Sequence, residues 1–153
     1  MSGLVDLYAA LAAIPVSAAG KTPTVYAVDA LPTAVQTAQL PCRVLLPLGG
    51  RLRAEATGAL ALGGGQRIRW RLTDVLLWSP VGQGRSLAEH SAALVAYCDA
   101  YAAAVGIGTA LDTADMRATV TGLTFEPGLV LYPPAGNVTY YGVECGVEVE
   151  MMT

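Results

Sequence analysis

Charge is what this 153-residue chain has least of: Asp, Glu, Lys and Arg make up 14% of it, against roughly 25% in ordinary soluble domains. The hydrophobic fraction is 54% and the mean hydropathy is +0.48, so intrinsic disorder is excluded. Long apolar runs are also missing. The longest charge-free stretches, Leu7 to Gly20 and Pro127 to Val143, are each broken by Pro or Gly, which argues against a membrane-spanning helix of about 20 residues. Apolar surface without a bilayer to hide in points to contacts with other protein chains. A single histidine, His90, and three widely spaced cysteines, Cys42, Cys98 and Cys145, form no zinc pattern and no even disulfide framework. The cysteines read as buried free thiols of a reducing compartment.

The net charge of -3 argues against a surface that grips nucleic acid all round, while leaving a local basic patch open. The first residues carry Asp6 and no basic segment, so they read as a helix rather than a signal peptide.

Along the chain, Leu4, Leu7, Tyr8, Leu11 and Ile14 recur at helical spacing until Pro15. Residues 24 to 28 have strand composition, and residues 33 to 41 read as loop. Cys42 to Leu46 is a short apolar strand between two prolines. The Gly-rich segment from 48 to 66 reads as an extended hairpin loop that docks on a neighbouring chain. Arg67 to Thr73 alternates strictly, with Ile68, Trp70 and Leu72 on one face and three arginines on the other. Val75 to Trp78 loses the alternation, as where a strand enters a sheet covered on both faces.

Ser86-Leu87-Ala88-Glu89 has the form of a capping box. It opens a helix whose apolar positions are Leu87, Leu94, Val95, Cys98, Tyr101, Ala102 and Val105, closed by Gly106 and Gly108. Met116 to Thr124 reads as a strand, with Leu129 to Tyr132 as its extension or a bulged partner. The last segment alternates again, Val143, Cys145, Val147, Val149 and Met151 facing away from Glu144, Glu148 and Glu150. The whole, residues 1–153, is expected to be one α+β domain: an antiparallel sheet with two main helices packed on it, plus the long Gly-rich hairpin loop.

No catalytic constellation emerges. Glu89 and His90 are helical neighbours and do not face each other. The glycine clusters precede a strand instead of a helix and have no following Lys, which excludes a phosphate-binding loop. No cofactor and no metal is expected, and the chain reads as a non-enzyme.

The unusual feature is the sorting of the scarce charge. Arg43, Arg51, Arg53, Arg67, Arg69 and Arg71 cluster with one acid, Glu55, while Glu144, Glu148 and Glu150 line the last strand. Two readings stand open. These charges pair within the sheet as cross-strand neighbours. Alternatively Arg51, Arg53, Arg67, Arg69 and Arg71 of one subunit meet Glu144, Glu148 and Glu150 of the next, head to tail, in a ring.

Several local sequences carry a resemblance. The N-terminal helix, Trp70-Arg71-Leu72-Thr73-Asp74, Leu77-Trp78, the helix from Ser86 and the closing Tyr140-Tyr141-Gly142-Val143-Glu144 strand resemble tail-completion proteins of long-tailed phages. The nearest group is the tail terminators of the phage lambda kind. The resemblance implies a virion protein, assembled in the host cytoplasm, that forms a homo-oligomeric ring, commonly a hexamer, at the tail and neck. Such a ring caps the tail-tube protein, meets a neck or connector protein, and lets DNA pass through its lumen without sequence-specific binding. A neck connector or a tail-tube subunit is the alternative within that class. A nucleic-acid-binding module using the Arg-rich strand is the alternative outside it.

Overall fold

The computed structural model describes residues 3–46, 53–57, 67–82, 86–113, 117–132 and 138–152. Two helices, α1 (Gly3–Ala12) and α2 (Leu87–Ala104), cover one face of a sheet built from β1 (Thr24–Tyr26), β2 (Cys42–Leu46), β3 (Arg53–Thr57), β4 (Arg67–Pro80), β5 (Arg117–Leu131) and β6 (Thr139–Met152). The strand order is β1-β2-β4-β6-β5, with β3 also paired to β4. The expected α+β fold is therefore present. The sheet is mixed, because β1 runs parallel to β2 while the other pairings are antiparallel.

The period-two pattern of β4 and β6 decides what each sheet face does. Leu72, Leu76 and Trp78 of β4 and Val143, Cys145, Val147 and Val149 of β6 point into the main core, where they meet Leu7, Tyr8 and Leu11 of α1 and Leu94, Tyr97 and Tyr101 of α2. Among the described residues the opposite face is covered at one end only. There the segment after β1 folds across it, and Tyr26, Leu31, Val35 and Leu40 pack on Cys42, Val44, Val75, Leu77, Tyr132 and Tyr140. Tyr132 donates to the Pro32 carbonyl, and Tyr140 donates to that of Val35 at 3.3 Å. Both faces of residues 72–78 are consequently buried, which is why the alternation stops there. Residues 67–71 lie beyond the cover, and their arginines reach solvent.

Several expectations need adjusting. A single 3-10 turn, Thr37–Gln39, interrupts the segment read as loop. Residues 53–57 within the Gly-rich segment are strand β3, in register with β4 from Arg67 to Arg71; positions 47–52 and 58–66 lie outside the described residues. Met116 likewise lies outside them, and the strand expected near it is one long β5 with an irregularity between Val120 and Gly122. Helix α2 starts after Ser86 as expected, yet the Ser86 side chain makes no capping bond.

The buried stripe of α2 is His90, Leu94, Tyr97, Tyr101 and Val105, while Leu87 and Val95 are exposed. Spacings of three and four are satisfied by both stripes. Two tyrosines bury more apolar area than the scattered Val and Leu, and they set the rotation.

Gly142 is required by close approach: a Cβ there would run into the Leu76 carbonyl, beside the irregularity between Leu77 and Ser79.

Candidate subunit interface

On the uncovered end of the sheet the antiparallel register of β4 and β6 sets Arg71 opposite Glu148 and Arg69 opposite Glu150. Arg71 donates to Glu148 at 2.5 Å. Arg67 and Arg69 share Glu150 at 3.3 and 3.5 Å. These five residues are thus cross-strand neighbours of a single chain. The fold joins them within the sheet, and the arginines do not need the glutamates of another subunit. Glu144 lies on the same face further along β6, opposite Val75 and Glu126. Arg53 is in register with Arg71, and Glu55 with Arg69. Arg51 lies outside the described residues.

Arg117, at the start of β5, is opposite Met152 and on the same face as Arg67. It is exposed and has no ion-pair partner among the described residues. By register this end of the face therefore carries five arginines, Arg53 included, against three glutamates, Glu55 included. The arginines of these pairs are about half or more open to water, Glu148 about half and Glu150 about a quarter, so each pair contributes roughly 0.2–1 kcal/mol.

Arg43 departs from this group. It belongs to β2, and its side chain is turned to the other face, fully buried in the core with Asp74. Its Nη2 lies 2.6 Å from one Asp74 oxygen and its Nε 3.4 Å from the other. The guanidinium also donates to the carbonyls of Ile14 (2.6 Å) and Leu11 (3.4 Å), capping the C-terminal end of α1. Tyr101 of α2 donates to Asp74 at 2.8 Å.

One buried carboxylate thus ties β2, β4, α1 and α2 together. Burial acts to lower the basicity of Arg43. The charge and hydrogen bonds of Asp74, helped by Tyr97 and Tyr101, outweigh it and leave the guanidinium more firmly protonated than usual. The signal for this network was an arginine and an aspartate each interrupting an apolar strand. A charge in such a place is tolerated only when paired.

The three cysteines are free thiols, Cys42 and Cys145 fully buried and Cys98 partly so. Burial pushes the Cys42 thiol up to about 11 and raises that of Cys145 as well. Both are held away from the thiolate form. His90 is buried against the Tyr141 ring at 5.1 Å. No cluster of metal-ligating side chains occurs among the described residues. None of their helices is long and apolar enough to cross a membrane.

The free edge of β5 is the other open surface. Residues 108–111 bond to its first turn of strand, at Ala118 and Val120. From Thr121 to Leu131 no strand among the described residues pairs with its outer side. Leu129 and Leu131 there are 64% and 51% exposed. Pro127 removes one edge donor, and Gly128 has a φ of 145° that favours glycine. The chain matches no family model, no curated protein and no solved structure.

Proposed function

We propose that this chain is a non-enzymatic structural subunit of a homo-oligomeric ring, of the tail-terminator kind, that caps a phage tail tube and joins it to the neck. The observation that carries the docking part of this reading, a protein neighbour such as the tube or the neck, is the β5 edge, open among the described residues, with Leu129 and Leu131 exposed. An unpaired strand edge is satisfied by another strand, and two exposed leucines on it favour a protein neighbour over water. The phage assignment rests on the sequence resemblance. A charge-poor surface supports a life in permanent protein contacts. Placement in the virion at the tail and neck, with DNA passing through the lumen, follows from the same reading.

The test is native mass spectrometry or light scattering of the protein alone and with assembled tail tubes. Stoichiometric rings at tube ends are expected. Filaments formed by the protein alone would instead identify a tube subunit, and rings bound to neck particles but never to tubes would identify a connector. A chain that stays monomeric in the presence of tubes would overturn the reading.

A further inference from the structure

The two helices contain Asp6, Glu89 and Asp99 and no Lys or Arg. None of the three carboxylates has an ion-pair partner among the described residues. On α2 the solvent-facing positions Glu89, Ala92, Ala96, Asp99 and Ala103 follow alternating steps of three and four, with Val95 exposed beside them. This is one continuous stripe, apolar and small between two carboxylates. On the opposite side of the domain lies the basic end of the sheet face, where Arg67 and Arg69 share one glutamate and Arg117 has none among the described residues. The exposed Met152 sits between Arg67 and Arg117. One side of a two-layer domain is thus acidic and apolar, and the other is basic with an apolar centre.

We infer that these two surfaces dock on each other between copies of this chain: the α2 stripe of one subunit lies across the Arg67, Arg69 and Arg117 end of the next. The inference rests on the ring reading above and names its contact. The occupant is a second copy because the charges are complementary and the spacings agree. Glu89 and Asp99, ten residues apart on a helix, are separated by about 15 Å along its axis. The basic end extends about 14 Å along β4 from Arg67 to Arg71 and about 10 Å across to Arg117. Small side chains on the stripe let the helix approach a sheet closely. Contact between opposite sides of the domain is heterologous, the geometry that closes into rings. It also leaves the β5 edge free for the tube or the neck. Charge supplies register and orientation, and Val95, Met152 and the alanines supply apolar contact.

The experiment compares self-association of four proteins at low ionic strength: the native chain, E89K/D99K, R67E/R117E, and all four substitutions in one chain. Circular dichroism and melting checks that each folds. All four positions are on the surface, and among the described residues Arg67 is the only one of them in an ion pair. Either double variant places like charges in the contact and is expected to weaken association by about tenfold or more. An equal mixture of the two doubles re-creates opposite charges at both contacts and is expected to associate again, as is the fourfold variant. High salt should weaken the native contact.

Double variants that associate as well as the native chain would overturn the inference while leaving the ring reading standing. Loss of association by both, without recovery on mixing, would also overturn it. A native chain that stays monomeric alone and with tubes would remove the ring reading itself. Should R67E/R117E lose salt-sensitive binding to DNA while self-association is unchanged, the basic end serves a nucleic acid and the inference falls.

Discussion

Strand β4 carries an Arg–carboxylate arrangement on each of its two faces, and the two have little in common but their chemistry. On the helix side Asp74 meets Arg43 in full burial, with Tyr101 and the end of α1 completing the coordination. On the other side Arg71 and Glu148 meet at the same short range in contact with water. In the buried pair solvent cannot replace a lost partner, so each group depends on the other. In the exposed pair water and salt compete throughout, and either partner is dispensable. One arrangement is part of the core, and the other lies on a solvent-facing surface.

The largest effect expected from breaking this comparison is at Asp74. Asp74→Asn removes the charge and keeps the shape, leaving Arg43 buried without its counter-ion. A loss of ~3–5 kcal/mol in denaturant unfolding is expected. Replacing Arg43 and Asp74 together by Met and Leu should cost less than Asp74→Asn alone. A double variant at least as unstable as the single would show that the carbonyl caps on α1, rather than the ion pair, dominate.

Alkaline pH comes next. Burial raises Cys42 from its ordinary 9.0 to about 11, and raises Tyr8 from 10.0 to about 12, the Tyr8 effect tempered by the Thr73 backbone. The unfolded chain therefore releases these protons first. Their contribution is intact below the unfolded values and is lost as pH climbs through the folded ones, by up to about 2–3 kcal/mol per group. Unfolding free energy measured against pH should fall from about pH 9 to about pH 12. Cys42→Ala should flatten the lower part of that slope, and an unchanged profile in the variant would refute the assignment.

The two core tyrosines of α2 sharpen the contrast at smaller scale. Tyr101→Phe deletes a hydrogen bond to a buried carboxylate, at an expected ~1.5–3 kcal/mol. Tyr97 is equally buried, but its hydroxyl has no partner among the described residues. Tyr97→Phe should therefore leave the melting temperature unchanged or raise it. Equal destabilisation by both would place a bound water or other partner on Tyr97. Smallest of all, Glu148→Gln on the exposed ladder should cost ~0.2–1 kcal/mol, a difference that disappears in high salt.

Much of the fold was legible where periodicity was strong. The alternation of Arg67 to Thr73 and of Val143 to Met151 placed the right residues on the right faces of β4 and β6, because a strand has only two faces. Helix α2 was located by its start and its closing glycines, and its stripe was read in part: Leu94, Tyr101 and Val105 are buried, while Leu87 and Val95 are exposed and His90 and Tyr97 take the remaining inward positions. In an Ala-rich helix the hydrophobic contrast between faces is too weak to fix the rotation, and the reach of Tyr97 and Tyr101 over the sheet decided it. Of the charged residues, Arg67, Arg69, Arg71, Glu148 and Glu150 were picked out as a group. Their partnership depended on register, which is set by pairing between segments about 80 positions apart. Arg43 was grouped with them by proximity in sequence, although residue parity in β2 turns it to the opposite face.

By itself, then, the sequence determined a charge-poor α+β domain, the inward and outward sides of its two long strands, and free thiols in apolar surroundings. All of these follow from composition and from the period of a local element. Tertiary structure alone decided which charges are paired within the chain. The pairing of Arg43 with Asp74 and the sharing of Glu150 arise where distant segments are brought within a few ångströms. No local pattern encodes that distance.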